Sequence, residues 1–299
     1  MPAVSPFAAT LASIPTAEAS VVVNGITTQY WEYGPATAPL QLVMIHGFRG
    51  DHHGLEPIVA ELGPEVHVII PDLPGFGSSQ ALPSPADINA YAAWLTGFLS
   101  VVPGGEQAVV LGHSFGSIVV GAAAASDLVN QRIILINPIA ANALTGPRGV
   151  MTRLAVLYYK IAAALPEKAG FSLLKNRHIV RIMSNTMAKT HDPNLREWIH
   201  EQHDAYFSVF ESRDSVLEAF ETSVSNDVSQ FARRIHQDVL MLVADRDDIT
   251  ALPEQYELAA RIPGARMEVV AGVGHLVHYE APDFAAKHIR EFLGIGRSS

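Results

Sequence analysis

The stretch Val109-Val110-Leu111-Gly112-His113-Ser114-Phe115-Gly116-Ser117 passes from aliphatic residues, through a serine bracketed by glycines, into the small-residue run Ser117 to Ala125. A strand is expected to end at Leu111 and a helix to begin near Ser117, so the chain must change direction within a few residues. Such a turn needs its glycines, because a Cβ at either flank would collide with neighbouring backbone, and it holds the serine strained and exposed. The pattern G-x-S-x-G alone arises by chance roughly 0.1 times in a chain this long. The strand before it and the helix after it make it informative. A serine hydroxyl is a poor nucleophile until a base takes its proton, so a histidine must be found, and an acid to orient that histidine.

Outward from this turn, short β-branched and aliphatic runs recur at Gln41 to Ile45, Val66 to Ile70, Ala108 to Leu111, Arg132 to Ile136, Asp238 to Val243 and Met267 to Val270. Near-continuous runs of this kind read as strands buried on both faces, as in a parallel sheet with helices above and below. Val21 to Val23 and Thr27 to Tyr33 flank Asn24-Gly25, a type I′ hairpin signal, so the sheet is expected to begin antiparallel. From about Ala141 to Phe231 no strand is expected. Ala155 to Ala164, Leu195 to Phe210 and Ser215 to Phe220 carry helical periodicity instead. The expected organisation is an N-terminal arm over 1–19, a sheet domain over 20–140 and 232–299, and a helical cap over 141–231. The cap should cover the carboxyl ends of the strands, where open α/β sheets bind ligands.

Composition narrows the function. Thirty acidic against 20 basic residues leave a formal charge of −10, which repels phosphate backbones and anionic lipid surfaces; no nucleic-acid or membrane partner is expected. With 48% apolar residues over 299 positions, the chain can bury a large core. Zero cysteines exclude disulfides, thiolate metal sites and a cysteine nucleophile, and suit a reducing cytoplasm. The first 20 residues carry no Lys or Arg and are interrupted by Pro2, Pro6 and Pro15, unlike a secretory signal, so a cytoplasmic location is expected. The longest apolar stretch, around Ile118 to Ala125, is too short to span a bilayer.

Among 13 histidines, His275 sits in Ala271-Gly272-Val273-Gly274-His275, just after the last expected strand, which returns its ring to the same sheet edge as Ser114. The strand Asp238 to Val243 runs into Ala244-Asp245-Arg246-Asp247-Asp248, which supplies the acid and gives the chain order Ser, Asp, His.

With these residues in view, the chain resembles the α/β-hydrolase superfamily from Val21 to Leu293. The landmarks are His46-Gly47, Pro71-Asp72-Leu73-Pro74-Gly75-Phe76-Gly77-Ser78, the serine turn, the Asp-rich strand end and Gly274-His275. The resemblance implies an α/β-hydrolase fold: a mostly parallel eight-stranded sheet with helices on both faces and an inserted helical cap. Family spacing of the form G-x-x-D places the acid on Asp247, with Ala244 standing where glycine is commoner; Asp248 is the runner-up and Asp245 the third choice. The loop Asn137-Pro138-Ile139-Ala140 lacks the carboxylate that some relatives carry there. The resemblance also assigns the oxyanion hole to the backbone N–H groups of Phe48 and Phe115. Relatives that displace at saturated carbon use an aspartate where this chain has Ser114, which argues against dehalogenase and epoxide hydrolase chemistry.

The expected activity is a serine hydrolase acting on a small, partly hydrophobic carboxylic ester through an acyl-enzyme, with no cofactor and no metal. Alternatives on the same triad are a carbon–carbon bond hydrolase of ring-cleavage products and a cofactor-free haloperoxidase or acyltransferase. A ligand receptor that keeps the fold without turnover is the non-enzyme alternative. His46, Arg49, His113, Tyr159 and Trp198 are candidate substrate contacts, and Arg49, Arg153, Arg177 or Arg181 could anchor a substrate carboxylate. His46 is also expected to prop the oxyanion loop, while Asp72 and Glu280 brace loops. Arg49-Gly50-Asp51-His52-His53-Gly54 reads as a solvated loop whose adjacent histidines point apart, and His200 and His203 as a polar cap surface. The oligomeric state is open.

Overall fold

The computed structural model describes residues 5–142 and 149–295. Residues 1–4 of the expected arm, 143–148 of the expected cap and 296–299 of the expected core lie outside the described residues.

The chain opens with a short helix α1 (Ala8–Leu11), followed by β1 (Thr16–Val23) and β2 (Ile26–Tyr33). These two strands pair antiparallel around Asn24 and Gly25, at φ 50° and 87°, the positive pair that a type I′ turn demands. The expected arm over 1–19 is thus shorter than predicted. Thr16 to Ala19 already pair in the sheet, held there by the register that the hairpin sets.

There follow β3 (Leu40–Ile45), α2 (Glu56–Leu62), β4 (Val66–Pro71), α3 (Ile88–Val101), β5 (Val109–His113), α4 (Phe115–Ala124) and β6 (Arg132–Ile136). Between β6 and β7 come α5 (Gly149–Ala164), α6 (Glu167–Leu174), α7 (Arg177–Met187), α8 (Pro193–Tyr206) and α9 (Arg213–Ser225). The chain closes with β7 (Asp238–Ala244), α10 (Leu252–Arg261), β8 (Arg266–Val270), α11 (Val277–Glu280) and α12 (Pro282–Leu293).

The eight strands form one sheet in the order β1-β2-β4-β3-β5-β6-β7-β8, antiparallel at β1-β2 and β2-β4 and parallel elsewhere. Alternate residues of the central strands feed two apolar layers. Val43, Ile45, Val110 and Met241 meet α3 and α4 on one face, while Leu42, Met44, Leu111 and Leu240 meet α2 and α12 on the other. Burial on both faces explains why these strands read as continuous Val/Ile/Leu runs, each side chain contributing about 1.5–3 kcal/mol over exposure.

Two helices between β6 and β7, α6 and α7, have no counterpart in the sequence reading. Helix α7 carries Ile179, Val180, Met183 and Met187 along one face, with only Ile182 among its larger apolar residues turned to solvent. Its start is well formed, since the Asn176 side chain accepts from the His178 and Ile179 amides. Asp192 and Ser212 cap α8 and α9 in the same way. Among the described residues no helix is long and apolar enough to cross a membrane.

Because β3 to β8 run parallel, the loops after β3, β5, β6, β7 and β8 all emerge at one sheet edge. Phe48, Ser114, Asn137, Asp247 and His275 lie in those loops.

Candidate active site

Ser114 joins β5 to α4 at φ 53° and ψ −117°, a strained backbone for a non-glycine residue. The turn closes because its flanks lack side chains: a Cβ on Gly112 would lie 2.4 Å from the Gly116 carbonyl oxygen, and one on Gly116 would lie 2.3 Å from that of Ile45. The Ser114 amide donates to Ile136 O at 3.1 Å, which pins the turn to the end of β6.

The Ser114 hydroxyl is 2.7 Å from His275 Nε2, and His275 Nδ1 is 2.7 Å from Asp247 Oδ2. A carboxylate only accepts, so Nδ1 carries the ring proton and Nε2 is left to accept from the serine. Asp247 is buried, and its two oxygens take the Ile249 amide at 2.7 Å, the Thr250 amide at 3.2 Å and the Thr250 hydroxyl at 3.1 Å. Burial pushes this carboxyl upward, but the imidazole and those amides outweigh it and hold the group below the usual carboxylate range. The other two acids point elsewhere. Asp245 accepts from the Gly272 amide at 2.7 Å, and Asp248 is exposed and pairs with Lys189. Such an arrangement can deprotonate the serine hydroxyl while keeping the imidazole in one tautomer.

Phe115 opens α4, and Phe48 follows Gly47 at the end of β3. Among the described residues neither backbone N–H is taken by another acceptor. Both border the same cavity as Ser114 and His275, of about 370 Å³. Its wall is largely apolar, with Ile139, Tyr159, Met183, Phe220 and Val224 among the contributors. Asp51, Asp248 and Glu254 also border it, and among its described lining residues there is no lysine or arginine.

The expected substrate contacts separate on inspection. Tyr159 lines the cavity with its ring, stacked on Phe220 at 3.7 Å, but its hydroxyl is taken by Arg49. His46 has both ring nitrogens occupied: Nε2 accepts from the Leu73 amide at 2.8 Å and Nδ1 donates to Gly47 O at 2.8 Å. It therefore braces the loop and offers a substrate only ring surface. His113 Nε2 contacts the His275 carbonyl at 3.2 Å; burial and the neighbouring His275 push its pKa down to about 3, so it is neutral and donates that bond. Trp198 is not at the cavity, since it packs between Phe7 and Tyr279 in a separate cluster. Arg49 is fully buried behind the cavity wall, Arg177 and Arg181 pair with Asp204, and Arg153 lies exposed on α5, so none of the four is placed to anchor a carboxylate there.

Two further readings are overturned. His52 is buried, stacks on Trp31 at 3.3 Å and bonds Asp72 Oδ1 at 2.9 Å, while His53 bonds Asp51. The two histidine rings lie 3.9 Å apart rather than diverging, because a short 3₁₀ turn places them side by side. Asp51, His52 and His53 bring ligand-type atoms within 4.8 Å of one another, with His52 and His53 each already paired to a carboxylate. His200 and His203, expected on the surface, are buried around Ser184 at 2.6 and 2.7 Å, and burial lowers both pKa values, that of His203 to about 3.

Several supports were not foreseen. Asn137 donates to the carbonyls of Gly274 and His275 at 3.1 and 3.0 Å and accepts from the Ala244 amide at 2.9 Å, tying three strand ends together. Gln255 donates to Thr250 Oγ1 at 2.7 Å and Pro138 O at 2.8 Å. Glu280, expected from the sequence to brace a loop, takes the amides of Lys189, Thr190 and Gly274, which binds the inserted helices to the His275 loop. Thr250 stands three residues after Asp247, a local cue; the Asn137 bonds and the Gln255–Pro138 bond join residues over 100 positions apart and carry no such cue.

Residues 42–288 match the pattern described as the Alpha/beta hydrolase family. The chain belongs to that family. The hydrolase is 23% identical over 278 residues to an uncharacterized hydrolase, YugF, of Bacillus subtilis, covering 91% of this chain and 96% of that one. Among solved structures it is similar to the enol-lactonase of Burkholderia xenovorans, at TM-score 0.77 and 20% identity, covering 92% and 100% of the two chains. It is also similar to a thermophilic esterase of Thermogutta terrifontis with malate bound, at TM-score 0.71 and 22% identity, covering 93% and 98%.

Proposed function

We propose that this hydrolase cleaves a small, uncharged, partly hydrophobic carboxylic ester through an acyl-enzyme, with α5 to α9 serving as a cap over the site. The observation that carries this reading is the unbroken hydrogen-bond chain from Ser114 through His275 to Asp247, at 2.7 Å in both steps, on the wall of an apolar cavity. The serine oxygen attacks the ester carbonyl as its proton passes to His275 Nε2. The charge that builds on the carbonyl oxygen is met by the Phe48 and Phe115 N–H groups. His275 then returns the proton to the departing alkoxide, which leaves as the alcohol, and water repeats the cycle on the acyl-serine. Asp247 stays ionised and holds the ring.

An uncharged substrate is favoured because the described lining offers carboxylates and no cation, so a second carboxylate on the substrate meets like charge. An esterase and an enol-lactonase among the similar structures are consistent with ester cleavage. The test is p-nitrophenyl ester turnover. Wild type should show a burst equal to its active-site concentration, and Ser114→Ala should lose kcat by about 10³-fold or more. Near wild-type hydrolysis by Ser114→Ala would end this assignment, and the absence of any p-nitrophenol release by wild type would favour a receptor.

A further inference from the structure

Arg49 follows the proposed oxyanion donor Phe48 directly, and its side chain is fully buried, with no carboxylate partner among the described residues. A guanidinium taken out of water without a counter-ion is tolerated only where its N–H groups find acceptors. All of those acceptors come from the segment between β6 and β7. Nε donates to Phe207 O at 3.0 Å, Nη1 to the Tyr159 hydroxyl at 3.2 Å, and Nη2 to Leu174 O at 2.6 Å and Ser208 Oγ at 3.2 Å. Leu174 is the last residue of α6 and Phe207 the C-terminal cap of α8, so the cation sits where two helices present their negative ends. The rings of Phe207 and Phe210 lie 5.5 and 5.4 Å from its Cζ.

The backbone is constrained as well. Arg49 stands at φ 65°, a conformation that an L residue leaves unless tertiary contacts hold it. Beside it, the Phe48 ring lies 6.0 Å from Tyr159 and 5.9 Å from Phe220 on the inserted helices, and 6.4 Å from Phe115, the second proposed donor. Tyr159 thus touches both loop residues, one through its hydroxyl and one through its ring. A role for Arg49 as a carboxylate anchor is ruled out by the same contacts, since its donors are spent on these helices.

We infer that Arg49 is a positioning residue: its guanidinium locks α5, α6 and α8 onto the loop after β3 and so fixes the Phe48 amide in the oxyanion hole. Seating of the cap and stabilisation of the transition state are then one event. The inference rests on the acyl-enzyme reading given above.

The experiment compares wild type, Arg49→Met, Arg49→Lys and Tyr159→Phe with kcat normalised to burst-titrated sites. Folding is checked by circular dichroism. In Arg49→Met, kcat should fall about 100-fold, the scale of a misplacement near 1 Å or one weakened oxyanion donor, while KM stays within about threefold. Binding of a trifluoromethyl ketone, which becomes an oxyanion on adding to serine, should weaken by the same factor. Millimolar methylguanidinium should restore part of kcat. Arg49→Lys, a point charge without the planar fork, should fall between the two. Tyr159→Phe keeps the ring and deletes one acceptor, and should lower kcat about two- to tenfold.

A folded Arg49→Met variant with wild-type kcat per site, or one altered in KM alone, would overturn the inference. If Arg49→Met does not fold, unchanged kcat and ketone affinity in Tyr159→Phe overturn it instead. Near wild-type hydrolysis by Ser114→Ala removes the acyl-enzyme reading and this inference together, whereas an inactive Ser114→Ala with unaffected Arg49 and Tyr159 variants removes this inference only.

Discussion

Acid should destabilise this hydrolase before its carboxylates titrate, because it buries neutral histidines. His113 and His203 are almost inaccessible, and burial, with a second histidine beside each, pushes both pKa values down to about 3. In the unfolded chain each returns to about 6.5, so below that pH the unfolded state binds protons that the folded state refuses. Stability is therefore full above the unfolded value and is lost as pH falls towards the folded one. From pH 7 to pH 5 the linkage integral comes to about 2 kcal/mol per histidine, and about 4 kcal/mol for the pair. Set against a typical 5–15 kcal/mol for a globular protein, that loss is large. The assay is urea unfolding followed by circular dichroism at pH 7, 6 and 5. A His203→Gln variant, with nothing titrating at that position, should lose about 2 kcal/mol over the same range. Equal unfolding free energies at pH 7 and pH 5 in wild type, or an undiminished loss in His203→Gln, would refute the reasoning.

Asp247→Asn should lower kcat by about 10³- to 10⁴-fold through loss of the imidazole tautomer, while Asp248→Asn, exposed and paired only with Lys189, should change it less than about tenfold; steady-state kinetics on one ester decides between them. In a matched series, kcat/KM for a neutral diester should exceed that for its half-ester by about tenfold or more, owing to the carboxylates at the cavity, and the gap should narrow with added salt. Preference for the half-ester would contradict the uncharged-substrate reading. Gly116→Ala should destabilise the fold by about 1–3 kcal/mol in chemical denaturation, since its Cβ would press 2.3 Å from the Ile45 carbonyl oxygen.

Much of the sheet was legible because burial on both faces leaves continuous aliphatic runs, and the observed strands β3 to β8 begin and end within one or two residues of those runs. The serine turn was legible for a local reason too: its glycines are required by backbone atoms only a few residues away or on the adjoining strand. Helices α6 and α7 were passed over: α7 carries Ile179, Val180, Met183 and Met187 at helical spacing, but along the chain these are interleaved with Arg181, Ser184, Asn185 and Thr186. His200 and His203 misled for a related reason. Two imidazoles on one helix face look like a polar surface until Ser184, from the neighbouring helix, arrives to satisfy both.

By itself the sequence determined the strand runs, the Asn24-Gly25 hairpin and the serine elbow, because these rest on periodicity and on φ/ψ limits within a few residues. The resemblance already favoured Asp247 over Asp248, and the structure brings Asp247 to His275; the tertiary structure alone decided that Asn137 and Gln255 hold the loops around them, and that Arg49 is spent inside the protein. Each of those outcomes depends on where a charge or a polar atom finds its partner across roughly 30 to 160 residues of chain. Coulomb and hydrogen-bond energies reward such meetings only after the sheet has brought the ends together.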